Sequence, residues 1–381
     1  MKRVGLISLT FSILALGLVV GMSIQVPSGT WGVADDLLEG RTGAASALLA
    51  SGSVLVTGGT AADGTVLSSA VLFTSGGVFI GAAPMNVART GHTSTVLWDG
   101  QVLVAGGRTS DGSATQSAEI YDASADAWTP VGSMIGARSG HTASLSKDGR
   151  VLIAGGDTAS LEIYDPGSQA FIPAASMSVA RSGHASAVLE DGRVLIVGGA
   201  GPLSSADLYD PETDSVSAAP SLAAARSGHT ATTLLDGSVL IVGGNDGNTD
   251  LATAELYDKT ASSVTSLAST LAEPRRGHLA FLLPNNNTVL IAGGRLGDLD
   301  LYSAELYIPW TGAFQSTGDM AEPRSDATGA PTSLDGLLLV AGGANSVSGT
   351  LATSELYGFA TVKTDKNDYA PGETEIGRAH V

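Results

Sequence analysis

The sequence predicts an all-β chain, a seven-bladed β-propeller of four-stranded antiparallel blades closed by an N-terminal strand around Trp31. Three observations predict it. The composition suits short strands and tight turns, with 50 glycines in 381 residues and only 15% charged residues. A Gly-Gly doublet recurs at 58–59, 106–107, 155–156, 198–199, 243–244, 293–294 and 342–343, a period of 43 to 50 residues. An arginine stands 17 or 18 residues before each doublet: Arg41, Arg89, Arg138, Arg181, Arg226, Arg275 and Arg324.

Each copy reads as four strands. The first alternates in polarity and carries a histidine three residues after the arginine: His92, His141, His184, His229 or His278, replaced by Ala44 and Ala327 in the first and last copies. Five of the six histidines thus occupy one repeat position, which marks scaffold rather than a unique site. An Asp-Gly turn follows in most copies (Asp99-Gly100, Asp148-Gly149, Asp191-Gly192, Asp236-Gly237, Asp335-Gly336), the strongest short hairpin signal. The second strand is an apolar run such as VLVAGG or VLIVGG, expected in the middle of a sheet. A variable loop leads to the third strand, AEIYD, LEIYD, ADLYD, AELYD, AELYI or SELYG. The fourth centres on Trp128, Phe171, Val216, Val264 or Phe314, seven residues after the tyrosine.

Spacing also predicts how the ring closes. Phe79, Trp128, Phe171 and Phe314 lie ten residues before the next arginine, and Trp31 lies ten before Arg41. The last copy has three strands ending near Tyr357 and lacks a fourth. The segment around Trp31 is therefore expected to complete it and remove the open sheet edges.

If the strands run up and down, the arginine, the Gly-Gly and the start of strand three share one edge. The guanidinium can then lie across the doublet and reach a carboxylate, a geometry that suits arginine better than lysine. The expected structural pairs are Arg89–Glu119, Arg138–Glu162, Arg181–Asp207, Arg226–Glu255, Arg275–Glu305 and Arg324–Glu355. The first copy breaks the rule, because Val71 stands where the acid belongs and leaves Arg41 without its partner, to be solvated, to meet a neighbouring blade's carboxylate, or to serve an anionic ligand. The histidines are expected to hydrogen-bond between blades. Spread around a ring, they stand too far apart to share a metal, and no metal or cofactor is expected.

A function is expected on loops at one mouth of the channel. The loop between Gly-Gly and the acidic position holds ten or eleven residues in copies one, two, five, six and seven, but five in copy three and seven in copy four. That reads either as a notch for an extended glycan or peptide, or as ordinary loop drift. Candidate ligand contacts are Arg41 and the polar residues opening these loops: Arg108, Asp157, Asn245, Asp246 and Arg295. The acidic runs Asn245–Asp250 and Asp298–Asp300 carry alternate oxygen ligands of the kind calcium uses, without the EF-hand spacing; turn stabilisation is the alternative reading.

The doublets, tyrosines and tryptophans resemble the kelch repeat over about residues 29 to 358. The chain also resembles the propeller of galactose oxidase. That enzyme's copper–radical centre needs a Cys-linked tyrosine, and the absence of cysteine here excludes it. Sialidase boxes, a Gly-x-Ser-x-Gly elbow and HExxH are missing. Some exported kelch proteins are sugar mutarotases using a glutamate and an arginine, so a carbohydrate-active isomerase or hydrolase is the alternative to a non-catalytic binding module for a glycan or protein. With 37 acidic and 19 basic residues the net charge is −18, which disfavours nucleic acid and anionic lipid. A monomeric propeller is expected.

The ends read differently. Lys2-Arg3, the apolar run Val4–Val20 and the small Gly21 and Ser23 form the pattern of a secretory signal peptide over 1–23, with an uncleaved anchor as the alternative. The propeller then spans 24–358, and the protein is expected to be secreted or on the cell surface. No membrane span is expected after the leader. TVKTDKNDYAPGET resembles the first strand and turn of an Ig-like module of bacterial surface proteins, so 359–375 reads as a linker and truncated strand. The final IGRAHV matches a translated sequencing adapter. Residues 376–381 are read as artefact, with Arg378 and His380 carrying no functional weight, and the natural chain is expected to continue.

Overall fold

A computed structural model describes residues 26–284, 287–334, 336–363 and 378–380. The leader read at 1–23, Asp335 of the last Asp-Gly turn and most of 359–381 lie outside the described residues. Thr361–Lys363 pairs with Arg378–His380 in a separate two-stranded ribbon. Among the described residues no helix is long and apolar enough to cross a membrane.

Seven four-stranded antiparallel sheets form the propeller. Blade one consists of Ala45–Leu48, Val54–Thr57, Ala70–Phe73 and Phe79–Ala82, and the following blades repeat this order. The first strands of neighbouring blades contact each other around the whole ring, including blade seven against blade one, so they line the channel. The seventh blade is Thr328–Pro331, Leu337–Ala341 and Ser354–Gly358, completed by Trp31–Val33. The register sets Trp31 opposite Tyr357 and Gly32 opposite Leu356. Closure thus uses a strand from the far end of the chain, which leaves no blade edge of this sheet unpaired at that side.

Hydrophobic patterning explains where the core lies. Second strands such as Val102–Ala105 and Val194–Val197 are buried along their whole length, because both faces meet a neighbouring blade. Seven apolar clusters result, each shared by two adjacent blades. One example packs Leu55 and Ala70 of blade one against Val102, Val104 and Tyr121 of blade two. Tyrosines of the third strand pair with the fourth-strand aromatic, as in Tyr121–Trp128 with ring centroids 4.9 Å apart. Trp31 plays the part of Trp128: its indole N–H donates to Gly318 O at 2.7 Å, as that of Trp128 donates to Ala83 O at 2.7 Å.

Antiparallel alternation gives the ring two faces. The arginines, the ends of second strands and the starts of third strands lie on one, the loop face. The Asp-Gly hairpins lie on the other.

Candidate functional site

On the loop face the seven repeat arginines make the same contacts to the backbone. Its Nη1 donates to the carbonyl of the first doublet glycine, from Gly58 to Gly342, in all seven blades. The same nitrogen reaches the carbonyl of Ser69, Ser117, Ser160, Ser205, Thr253, Ser303 or Thr353, and Nη2 reaches that residue's hydroxyl. This Ser or Thr, two residues before the acidic position, was a repeat signal that sequence reasoning passed over.

In six blades Nη2 also meets a carboxylate. The pairs are Arg89–Glu119 at 2.9 Å, Arg138–Glu162, Arg181–Asp207 at 2.8 Å, Arg226–Glu255 at 2.7 Å, Arg275–Glu305 at 3.2 Å and Arg324–Glu355 at 2.9 Å. The acids collect further donors from the segment ahead of the arginine, as when Asn86 N and Val87 N donate to Glu119. Buried charges of both signs are therefore paired and hydrogen-bonded, the condition for burying them at all.

The doublet has a second reason besides room for the guanidinium. Gly106 and Gly107 sit at φ of 64° and 95°, and a Cβ on Gly106 would stand 2.6 Å from His141 Cε1 of the next blade. Gly107 N donates to Arg138 O of that blade, and the equivalent bond recurs in all seven blades, ending with Gly343 N to Arg41 O. Glycine, histidine and arginine thus form one belt that locks each blade to the next.

The histidines complete the belt. His141, His184 and His278 place Nε2 within 3.2, 3.0 and 3.0 Å of the hydroxyls of Thr93, Thr142 and Thr230 in the preceding blade. Blade one has Ala45 at the threonine position, but its register partner Thr57 supplies the hydroxyl to His92 at 2.8 Å. Blade four has Ala185 opposite Val197, so no hydroxyl serves the ring of His229 and only the backbone of Val197 stands beside it. Burial, with the adjacent arginine, lowers His92, His229 and His278 to about 3, and His141 and His184 to about 4.

Blade one departs from the rest. Arg41 is 1% exposed, and among the described residues no carboxylate stands within ion-pair distance of it. Burial lowers its pKa, partly offset by Glu39. A cavity of about 510 Å³ opens there, lined by Leu38, Glu39, Arg41, Val71, Gly81 and Pro84 among others.

The other loop candidates are not brought together as one site. Arg108 caps its own loop at Gly112 O, 3.1 Å away, and Asp157 holds a left-handed turn at φ of 65°. Asn245 donates to Asp250, which also binds Arg276 through both oxygens. Asp246 accepts from the N–H groups of Asn248 and Thr249, a closed turn. Arg295 pairs with Asp300 at 3.0 Å, and Ser325 and the N–H of Ser346 also donate to that carboxylate. Asp250 and Asp300 thus tie the loops of blades five, six and seven together. A cavity of about 220 Å³ at the channel mouth is lined by Arg276, Arg295, Ser325 and Asp326. It lies beside these blades rather than beside the short loops of blades three and four. Asp326 holds φ of 50° where six other copies have glycine.

The hairpin face carries a feature that sequence reasoning missed. Trp98, at the tip of a first hairpin, is 67% exposed. It borders a cavity of about 250 Å³ together with Asp99, Asp148, Arg150, Asp165 and Pro166, and Arg150 pairs with Asp148 at 2.6 Å. The signal was an aromatic residue directly before an Asp-Gly turn.

The comparisons agree with this architecture. Residues 89–135 match the family model of the Kelch motif. No curated protein matches the chain. A solved structure titled "Novel fungal alcohol oxidase with catalytic diversity among the AA5 family, in complex with copper" superposes with a TM-score of 0.71 at 18% identity, covering 87% of this chain and 76% of that one. At that identity the likeness shows the fold. A copper centre does not fit the residues present: cysteine is missing from the sequence, and no three His, Asp or Glu side chains converge among the described residues. The five repeat histidines are spent on contacts between blades or sealed within them.

Proposed function

We propose that the protein is an exported or cell-surface kelch propeller that binds a glycan or protein ligand without transforming it. The observation that supports it best is Trp98, a large exposed aromatic beside a cavity on the hairpin face that Asp148 and Arg150 also border. Such a ring offers an apolar face to a sugar or peptide while Asp148 and Arg150 supply hydrogen bonds. The side chains most often used for catalysis, the repeat arginines and histidines, are buried in the belt. The basic-then-apolar start of the chain supports export. A glycan array followed by NMR of the bound sugar tests the reading. Binding without turnover, weakened by Trp98→Ala, is the expected result; conversion of the bound sugar contradicts it.

One observation favours a second reading, a sugar isomerase or hydrolase. Asp326 sets an exposed carboxylate in a glycine's backbone slot, beside Arg276 and Arg295 at the channel mouth. Turnover abolished by Asp326→Asn selects this reading over the first.

A further inference from the structure

We infer that the blade-one cavity at Arg41 is a binding site for a carboxylate-bearing small ligand, a sugar acid or an acidic amino-acid side chain. This goes beyond the reading above, because the cavity lies on the loop face and Trp98 on the hairpin face. The other six blades supply the template. In each, a carboxylate from the third strand lies against Nη2 of the arginine and beside a Ser or Thr hydroxyl. Blade one keeps that cradle and lacks only the carboxylate. Arg41 donates to Gly58 O, Ser69 O and Ser69 Oγ as its counterparts do. The N–H groups of Leu38 and Glu39 stand where Asn86 and Val87 donate to Glu119, and among the described residues they meet no acceptor.

Two residues in register empty the same place. Val71 replaces the acid, and its cross-strand partner is Gly81, where the other blades set Pro130, Pro173, Ala218, Ser266, Ser316 or Val33 opposite the acid. A Cβ on Gly81 would touch only Leu38, at 3.8 Å. Leu38, Glu39 and Gly81 at the rim of the cavity are exposed, and Arg41 lines it from within at only 1% exposure, so a ligand carboxylate has to come in past Leu38 to reach the guanidinium.

Glu39 does not fill the gap. Its carboxylate reaches Ser69 Oγ at 3.4 Å, and Glu273 and Glu322 hold the same relation to Ser303 and Thr353 in blades six and seven. Those blades nevertheless keep Glu305 and Glu355 on their arginines. A glutamate at that position and a second carboxylate therefore coexist around one guanidinium. Glu39 also sets a rule for the ligand: one carboxylate is accommodated, and a dense polyanion is repelled.

The test titrates the full chain with galacturonate, with glucose as the neutral match, and with a blocked aspartate, read by NMR or calorimetry. Val71→Glu installs the chain's own carboxylate. It should weaken carboxylate binding by about tenfold or more, the size of a lost charge-assisted hydrogen bond, while raising the unfolding temperature. Val71→Ala keeps the vacancy and should retain binding, which covers the case in which the glutamate variant misfolds. Binding of galacturonate alone identifies a sugar acid, and binding of the blocked aspartate alone an acidic peptide; either supports the site. Carboxylate binding that is absent, matched by glucose, or unchanged in Val71→Glu overturns it. Retained glycan-array binding in that event leaves the binding role standing without this site.

Discussion

Arg181 donates to one oxygen of Asp207 from both Nε and Nη2, at 3.2 and 2.8 Å, with neither side chain reached by solvent. A charge so placed is tolerable only because its partner is fixed. Arg181→Met leaves Asp207 buried with the two Ser178 hydrogen bonds but no counter-charge, and should destabilise the protein by about 3–5 kcal/mol. Arg181→Met with Asp207→Leu should recover a large part of that loss. Equilibrium denaturation of the two single variants and the double variant measures the coupling; additive losses would show that the two side chains do not act as a pair.

The buried histidines predict an acid-sensitive fold. In the unfolded chain these rings take up a proton near pH 6.5. In the folded chain burial and the adjacent arginines hold them to about 3 or 4. The unfolded state therefore binds more protons between these values. Their contribution is full above about pH 7 and is lost as pH falls below 6.5, at roughly 2 kcal/mol per ring by pH 5. Denaturant midpoints at pH 7 and pH 5 should differ accordingly, and His278→Gln should shrink the difference. A pH-independent midpoint over that range would contradict the assignment.

His229 marks a weak point in the belt, since Ala185 and Val197 offer it no hydroxyl. Ala185→Thr restores the side chain that serves His141, His184 and His278 from the same position. It should stabilise the fold by about 1 kcal/mol, the net value of a typical hydrogen bond. The same change at Ala45 should gain less, because Thr57 already serves His92. Thermal unfolding of the two variants side by side makes the comparison.

Much of this was legible in the sequence because each repeated residue answers a backbone demand. Glycine doublets, Asp-Gly turns and the arginine-to-acid spacing are local in the chain, so their period exposes the blades. The exception at Val71 was visible for the same reason. What lay hidden depends on register between blades. Nothing local says that Thr57 replaces Ala45 as the partner of His92, or that Asp250 reaches Arg276. The empty space opposite Val71 also needed the register, because Gly81 matters only once it is seen to face that residue. Trp98 is hidden for a different reason: its position before the Asp-Gly turn holds Lys147, Glu190 and Leu235 in other copies, so no residue type recurs there to mark it.

The most direct test of the account concerns closure. Trp31 packs against Tyr357 with ring centroids 5.1 Å apart, and its strand is the fourth of the last blade. Removing residues up to 34 should expose the edge of Ser354–Gly358, lower the unfolding temperature and cause concentration-dependent association through that edge. Thermal unfolding of the shortened and intact chains at several concentrations measures this. An unfolding midpoint equal to that of the intact chain, with no association, would contradict a ring latched by its N-terminal strand.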